Sequence, residues 1–399
     1  MAALLTLEEA QERVLALARP LAAEPLPIAD AAGRVTAEDV RARIDLPPFA
    51  SSAMDGFAVR AADLPGTLRI AGESAAGRSF GGQLESGCAV AISTGAVVPG
   101  GADAVVRIED VVMRDNSVEM PQPAEPGAHI RPQGGDVAAG ELVAPAGARL
   151  TPARLAAVAA SGIAELQCTR RPRVAVLATG TELVDPGGAL KPGQIYETNG
   201  LMLSAALGAA GAEVLTEPPV ADDEEALRTA LERGLDADVL VTSGGVSVGE
   251  HDLVRAVERE LGVEEVFWRV SIKPGKPVSF GVRGETLVFG LPGNPVSALV
   301  GCELFVKPAV RALQGLADPL PRYEPGRLEV GFRRNEERDE FVRARSRVDG
   351  EALVLEPITG QESHMIVHSS VADALVHIPR GNGELAAGST VRWLRLATR

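Results

Sequence analysis

Residues 239–252 read VLVTSGGVSVGEHD, an apolar run followed by a glycine-rich turn. The run 239–241 has the composition of a strand that is buried on both faces of a sheet. Gly244 and Gly245 permit a tight turn and a close approach of the backbone to a neighbour, and Asp252 is suited to begin a helix. The stretch therefore predicts a buried strand that leads through a glycine loop into a helix.

The same alternation extends over residues 171–316. Apolar runs occur at 174–177, 213–215, 239–241 and 287–289, and helices are predicted to begin near Asn199, Asp223, Asp252 and Pro295. Such alternation is typical of a doubly wound, mostly parallel sheet. The predicted fold class is multidomain α/β plus β, with this α/β domain at its centre.

Further regions flank the α/β domain. Residues 1–47 carry two helical patterns, the second ending near Ile44 before paired prolines, and a helix over 151–163 is expected to pack on them. We group 1–47 with 143–170 as a helical domain. Residues 48–142 are predicted to form an inserted small β domain and residues 317–399 a C-terminal β domain.

Charge and composition exclude several classes of protein. The sequence has 54 acidic and 39 basic side chains, a formal net charge of −15, so nucleic acid is not an expected partner. Three cysteines, Cys88, Cys168 and Cys302, lack metal-ligand spacing and favour a reducing compartment. The uncharged stretch 286–302 is broken by Pro-Gly-Asn-Pro at 292–295, so no membrane span is expected and the protein is predicted to be cytoplasmic.

Loops that follow the predicted strands are the candidate ligand site, because ligands of open α/β sheets bind beyond the carboxyl ends of the strands. The candidates for a phosphate cradle are Ser243, Gly244, Gly245, Ser247 and Gly249 in one loop and Pro292, Gly293, Asn294 and Pro295 in another. Asn294 is suited to cap the helix that begins at Pro295. Each loop is equally explained as a tight turn or a helix start.

Carboxylates are expected at the same edge. Glu182, Asp222 and Asp252 each lie just past a predicted strand or at the start of a helix. Clustered carboxylates repel one another and favour a hard cation, for which Mg²⁺ is the best match beside phosphates. The alternative for Asp222 or Asp223, and for Asp252, is simple helix capping.

Two lysines are held by prolines and a glycine in the segment KPGKP. Lys273 and Lys276, with Arg269 nearby, are predicted to bind phosphate or another oxyanion, although lysines usually contact solvent. Asp55 and Thr94 lie in turn-like segments that spacing alone does not distinguish from ordinary turns. No histidine spacing favours zinc, and no nucleophile motif favours covalent catalysis.

Taken in order, these loops resemble the MoeA family, the molybdopterin molybdenumtransferases, which include the E domain of gephyrin. The resemblance rests on SAMDG at 52–56, STG at 93–95, TGTEL at 179–183, TSGGVSVG at 242–249, KPGKP at 273–277 and LPGNP at 291–295. It implies a MogA-like central domain, a homodimer formed through the helical domain, and a site between the α/β domain of one subunit and the C-terminal domain of the other.

The resemblance also implies a reaction and its residues. Molybdate would be inserted into adenylylated molybdopterin with release of AMP, in the presence of Mg²⁺. Asp55, Thr94, Glu182, Asp222 and Asp252 would serve the metal and the chemistry, and Lys273 and Lys276 would hold molybdate or phosphate. The implied partners are a MogA-like adenylyltransferase and molybdoenzyme apoproteins.

One position departs from the family pattern. Glu362 stands where the family typically has glycine, next to Ser363, which is expected to face the ligand, and Arg343 is expected to compensate the added charge. Two alternatives remain: a gephyrin-like dimeric scaffold with weak or no catalysis, and adenylylation of molybdopterin, the reaction of the single-domain MogA proteins. The flanking β domains disfavour the second, and the intact acidic and lysine residues disfavour the first.

Overall fold

The computed structural model describes residues 4–245 and 253–396. The chain divides into an insert unit, residues 25–167, and a main unit formed by the residues before and after it. Strands Ala23–Pro27 and Glu165–Thr169 contain the points at which the chain passes from one unit to the other.

A six-stranded sheet forms the centre of the main unit. Its strands, in spatial order, are Glu213–Thr216, Arg173–Ala178, Val239–Ser243, Thr286–Leu291, Ser279–Arg283 and Glu264–Trp268. The first four run parallel to one another, and the last two continue the sheet as an antiparallel edge. The predicted mostly parallel sheet is therefore confirmed.

Both faces of this sheet are buried. In strand Arg173–Ala178, Val174 and Val176 belong to one hydrophobic cluster, whereas Ala175 and Leu177 belong to another on the opposite face. Successive side chains of a strand point to opposite faces, so the all-apolar run supplies both clusters. The doubly wound arrangement follows from this two-sided burial.

Helices cover both faces of the sheet. They are Asn199–Ala209, Glu224–Gly234, Leu253–Glu260 and Pro295–Gly301, the last continuing through the π-helical segment Cys302–Val306 into Lys307–Leu313. Helix starts near Asn199, Asp223 and Pro295 are confirmed, while the predicted start at Asp252 lies outside the described residues. Asp223 caps its helix by accepting a hydrogen bond from the Ala226 N–H, at 2.9 Å.

The N-terminal helix Leu7–Leu17 packs within the main unit. Thr6 and Glu9 form a reciprocal capping box at its start. Leu7 and Val14 join the same hydrophobic cluster as Phe305, and Gln11 donates to the Leu304 carbonyl at 2.9 Å. The apolar face of this helix therefore packs against the end of the α/β region.

The second helix predicted within residues 1–47 is not formed, because residues 28–47 adopt other structures. Beyond the short 3₁₀ turn Ile28–Asp30, Gly33 adopts a left-handed conformation with φ of +73°, and Val35 bridges to Arg149. Strand Val40–Arg41 then pairs with Leu142–Ala144. Pairing with residues a hundred positions away overrides the helical periodicity, whereas the predicted helix near 151 is present as Pro152–Ala160 with Thr151 as its cap.

The remainder of the insert unit is β-structure, as predicted. One six-stranded sheet has the order Ala104–Arg107, Gly56–Val59, Cys88–Ile92, Gly66–Ser74, Ser117–Met120 and Val112–Arg114. Strand Ser51–Ser52 pairs with Ile130–Arg131, and 3₁₀ turns occupy Ala61–Asp63 and Ile108–Asp110.

The C-terminal β region closes on itself. Asp339–Asp349, Ala352–Pro357, Glu324–Leu328, Thr390–Arg395 and Ala374–Ile378 pair in a ring, because the last of these pairs again with the first. Trp393 fills its interior. Shorter pairs join Phe332–Arg333 to Glu384–Leu385 and Leu183–Val184 to Ile195–Tyr196, and a short helix spans Ile366–Ser369.

In the part of the chain that the structure describes, no helix is both long and apolar enough to cross a membrane. Cys88, Cys168 and Cys302 are all buried. Burial raises the pKa of the Cys302 thiol, which keeps it in the neutral, unreactive form.

A half-buried ion pair joins the start of the α/β region to its central strand. Arg170 donates both guanidinium nitrogens to Asp238, at 2.6 and 2.7 Å, and the Arg173 N–H donates to the same carboxylate at 2.8 Å. Burial opposes ionisation of Asp238, but these donors prevail and hold its pKa below the ordinary value. The carboxylate therefore contributes stability only while it is ionised.

Asp238→Asn is expected to lower the free energy of unfolding by about 1–3 kcal/mol at neutral pH, since a charged acceptor of three hydrogen bonds is lost. Because the folded pKa is depressed, this contribution is present above about pH 4 and disappears as pH falls through the folded pKa. Urea denaturation of both proteins at several pH values measures the difference. Asp236→Asn, at a neighbouring exposed position, is the control, and a pH-independent difference would contradict the account.

Candidate active site

A cleft of about 760 Å³ lies at the carboxyl ends of the parallel strands. Its walls include a threonine loop, residues 178–182, a glycine loop, residues 243–245, and a proline loop, residues 292–295. Each follows one of the parallel strands, Arg173–Ala178, Val239–Ser243 and Thr286–Leu291. The structure thus brings together three of the loops that the sequence predicted to meet, and Ser247, Gly249 and Asp252 lie outside the described residues.

The glycine loop depends on having no side chain at its centre. Gly244 has φ of +102°, and a Cβ there would stand 2.4 Å from the Thr179 carbonyl oxygen. Its N–H donates to the Leu291 carbonyl at 3.1 Å, so this amide holds neighbouring strands together. Gly245 follows with φ of +66°, so two consecutive residues adopt a conformation that favours glycine.

The proline loop contacts the C-terminal region of the same chain. Asn294 occupies the cap position of helix Pro295–Gly301, but its side chain makes no capping bond. Its Nδ2 donates to Ser363 Oγ at 2.9 Å, and the Val296 N–H donates to the Ser363 carbonyl at 3.0 Å. Asn294 is thus the cap residue by position, as expected, but its amide is used in the contact with Ser363 instead of a capping bond.

His364 and Ile366, which follow Ser363, line the same cleft. The C-terminal β region of this chain thus forms part of the cleft wall. The expectation that the C-terminal domain of a second subunit also contributes to the site stays a prediction.

A buried asparagine joins the glycine loop to the proline loop. Asn199 is the first residue of its helix and is 8% exposed. Its Nδ2 donates to Ser243 Oγ at 2.9 Å and to the Gly293 carbonyl at 2.8 Å. Ser243 is 2% exposed, and its hydroxyl donates to the Pro292 carbonyl at 3.4 Å. Ser243 lines the cleft, and the use of its hydroxyl as a ligand donor stays a prediction.

Two of the three predicted metal ligands line the cleft. Glu182 and Asp222 are both exposed to it. Asp222 accepts hydrogen bonds at one oxygen from the Thr181 N–H, at 3.2 Å, and the Thr181 hydroxyl, at 3.0 Å. Asp222 is therefore not a helix cap, a role that Asp223 has instead.

Among the described residues, no three His, Cys, Asp or Glu side chains stand close enough to hold a metal ion together. Mg²⁺ commonly takes only one or two protein carboxylates and completes its shell with water and substrate phosphates. Glu182 and the second oxygen of Asp222 provide a donor set of that kind. The acidic side of the cleft is chemically suited to a hard cation that binds together with a phosphate ligand.

The predicted cationic residues are not among the described residues that line the cleft. They are Lys273, Lys276 and Arg269. Lys273 pairs with Glu340 at 2.9 Å, and its side chain remains 51% exposed. The Arg269 guanidinium lies over the Trp268 ring, 3.6 Å from its centroid. Pro277 does reach the cleft, so the KPGKP segment ends at its wall.

Arg343 is a structural residue of the C-terminal region. It is 1% exposed and donates to Gln361 Oε1, the Gly360 carbonyl and Ser369 Oγ, at 3.3, 3.0 and 3.0 Å. Burial lowers the pKa of its guanidinium, and the nearby charge of Glu362 acts in the opposite direction. Arg343 therefore holds the segment that leads to Ser363 and lies near the charge of Glu362, as expected. Its predicted role in binding the substrate stays a prediction.

In the insert unit the two motif residues contact each other. Asp55 Oδ1 accepts a hydrogen bond from the Thr94 N–H at 2.7 Å, and both side chains are exposed. Ser52 supports the turn by accepting from the Met54 N–H at 3.2 Å. The segments around 52–56 and 93–95 thus form one polar corner, a juxtaposition that their separation in sequence did not indicate.

Sequence reasoning missed several residues of the cleft. They include Ile195, Tyr196, Glu197, Thr198, Asn199, His364 and Ile366. The available signal was the predicted helix start at Asn199, because the helix of an α/β unit begins at the same edge where its strands end.

A cleft at the carboxyl ends of parallel strands, lined by helix starts and by carboxylates, defines an α/β protein with a ligand cleft at the edge of its sheet. Comparison with known families matches residues 5–162 to the MoeA N-terminal region (domain I and II), 175–312 to a probable molybdopterin binding domain, and 325–396 to the MoeA C-terminal region (domain IV). The chain belongs to the MoeA family.

Its similarity to individual proteins extends over the whole length. Molybdopterin molybdenumtransferase of Haemophilus influenzae is 37% identical, with 97% of this chain and 98% of the relative covered. Molybdopterin molybdenumtransferase 2 of Mycobacterium tuberculosis is 39% identical with the same coverage. The molybdopterin biosynthesis MoeA protein of Pyrococcus horikoshii is 34% identical and superposes with a TM-score of 0.82, covering 99% of this chain and 100% of that one.

Gly244→Ala is expected to destabilise the protein by about 3 kcal/mol or more, since left-handed strain adds to a clash with the Thr179 carbonyl. Gly262→Ala is the matched control, because Gly262 also has a positive φ, +84°, but has no neighbour within 4 Å of an added Cβ. The control is expected to lose about 1–2 kcal/mol. Equal losses in urea denaturation would show that the close approach to Thr179 is not a constraint.

Proposed function

We propose that this protein inserts molybdate into adenylylated molybdopterin and releases AMP, a step of molybdenum cofactor biosynthesis. The observation that carries the proposal is the acidic, glycine-walled cleft in a chain that matches relatives named molybdopterin molybdenumtransferase over 97% of its length. Two β regions flank the α/β domain, which favours this activity over the adenylylation carried out by single-domain proteins.

Charge is the chemical obstacle that such a reaction must overcome. Molybdate is a dianion, and adenylylated molybdopterin carries a phosphoanhydride and a dithiolene. Helices Asn199–Ala209 and Pro295–Gly301 begin at the cleft, and helix N-termini carry partial positive charge that favours phosphate there. We place the phosphoanhydride against these helix starts and the adjoining glycine and proline loops.

Glu182 and Asp222 would hold Mg²⁺ in this proposal, with Asp252 as the third expected ligand. When bound, Mg²⁺ would neutralise phosphate charge and assist departure of AMP. Thr181 holds one oxygen of Asp222 by two hydrogen bonds, which leaves the other oxygen to face the cleft. The chain's contribution is positioning and electrostatics, with no covalent protein intermediate.

Lys273 and Lys276 remain our proposed ligands of molybdate or phosphate, with Arg269 close to them. Lys273 is half exposed although it is paired with Glu340, so an oxyanion can compete with that carboxylate for its ammonium group. Asp55 and Thr94 are proposed to act in the same reaction from the insert unit. We further propose a cytoplasmic homodimer that receives its substrate from a MogA-like adenylyltransferase and supplies molybdoenzyme apoproteins.

The direct test is release of AMP from adenylylated molybdopterin by the purified full-length protein with Mg²⁺. We expect release to depend on molybdate, with sulfate, a tetrahedral dianion that cannot be inserted, as the control. AMP is quantified by chromatography. Absence of molybdate-dependent release would contradict the proposal and favour the scaffold alternative.

Glu182→Gln keeps the shape of the side chain and removes its charge. We expect the Mg²⁺ concentration for half-maximal AMP release to rise at least about tenfold, because one of few anionic ligands is lost. Asp223→Asn is the control, since asparagine also caps helices and Asp223 adjoins Asp222 without lining this cleft. An unchanged Mg²⁺ requirement in Glu182→Gln would remove Glu182 from the metal site.

A further inference from the structure

Asn199 makes the contact that joins two walls of the cleft. Its amide nitrogen donates one hydrogen to Ser243 Oγ, at 2.9 Å, and the other to the Gly293 carbonyl, at 2.8 Å. The backbones it joins already approach closely, since a Cβ on Gly293 would lie 3.7 Å from Gly244 Cα. Asn199 thus adds a side-chain bridge between the glycine loop and the proline loop, next to the backbone bond from the Gly244 N–H to the Leu291 carbonyl.

The orientation of this amide is fixed by its neighbours. A flipped amide would place its oxygen against the Gly293 carbonyl, an arrangement of two acceptors with no hydrogen between them. In the observed orientation both hydrogens are used, and Oδ1 is buried without a partner among the described residues. The same holds for Thr179 Oγ1, which would lie 2.8 Å from a Cβ on Gly244.

Buried polar atoms without partners are costly and usually mark a functional constraint. Within the described residues, Asn199 joins the helix start, the glycine loop and the proline loop through both hydrogens of its amide, while its oxygen has no partner. The two hydrogen bonds point to a role in holding the two loops together.

We propose that Asn199 is a positioning residue for the substrate, which fixes the glycine and proline loops at the separation that receives the phosphoanhydride of adenylylated molybdopterin. Asn199 acts through Ser243 and Gly293 and does not contact the substrate itself, because the side chain is 8% exposed. This inference rests on the proposed function and names the residue that sets the shape of its site.

The test uses Asn199→Ala, Ser243→Ala and the double variant in the full-length protein. We expect each single substitution to raise KM for adenylylated molybdopterin about tenfold with kcat changed less than about threefold, because the loops separate but the acidic residues stay in place. KM for molybdate is expected to stay unchanged. The double variant is expected to be no worse than Asn199→Ala, since residues that act through one contact are not additive.

A second measurement needs no substrate. Amide hydrogen exchange of peptides covering 243–245 and 291–295 is expected to accelerate about tenfold in Asn199→Ala, while peptides from strand Ala352–Pro357 stay unchanged. Asn382→Ala, at an exposed asparagine of the C-terminal region, is the matched control. If Asn199→Ala does not fold, Asn199→Ser retains one donor and is expected to show smaller changes of the same kind.

The outcomes separate this inference from the proposed function. If the wild-type protein releases no AMP but exchange accelerates at both loops in the variant, the proposed function fails and the positioning role stands. If AMP release is normal and Asn199→Ala changes neither KM nor loop exchange, the positioning role is overturned. Additive effects of Asn199→Ala and Ser243→Ala on KM would also overturn it.

Discussion

Burial of the central sheet on both faces is the constraint on which the rest of the main unit depends. Strands such as Val239–Ser243 place alternate residues in two separate hydrophobic clusters. A polar side chain that must reach a ligand therefore has no suitable position in the middle of such a strand. Polar side chains and strained turns are therefore confined to the strand ends. The cleft forms at the carboxyl ends because the parallel direction of four strands brings their following loops to one edge.

At this edge of the sheet, the groups suited to an anion and the groups suited to a cation belong to different structural elements. Helix starts and glycine-rich backbone offer partial positive charge without mobile side chains, whereas Glu182 and Asp222 concentrate negative charge on the loops of the neighbouring strands. A ligand that carries a phosphate group and a bound hard cation would complement both the helix starts and the carboxylates. Lys273 is not among the described residues that line this cleft, and it pairs with Glu340.

Periodicity and turn chemistry predicted the sheet, its covering helices and the meeting of the threonine, glycine and proline loops. These features are encoded locally, in buried runs, caps and glycines. The region after Gly33 was mispredicted as helix because its structure is decided by pairing with residues 137–149, information that a local pattern does not contain.

The same limit applies to the site residues. Arg343, Asn294 and Ser243 were assigned to a ligand or a cap from their residue types, but each is used by partners distant in sequence. Asp223 rather than Asp222 caps its helix, a choice between adjacent carboxylates that composition cannot make. Residue type predicted the chemistry available at the edge, and tertiary contacts decided which residues are free to use it.

The contact between Asn294 and Ser363 gives the C-terminal β region a role at the cleft in addition to its role in packing. A closed ring of strands around Trp393 has its own hydrophobic interior, and Phe341, Leu375 and Leu394 from these strands are also buried in the hydrophobic cluster of the α/β region. Arg343, buried in strand Asp339–Asp349, donates to the Gly360 and Glu362 carbonyls of the segment that leads to Ser363. The Ser363 hydroxyl accepts from Asn294 Nδ2, and the Ser363 carbonyl accepts from the Val296 N–H in the following helix. Because His364 and Ile366 line the cleft, these contacts hold part of the C-terminal β region as a wall of the cleft.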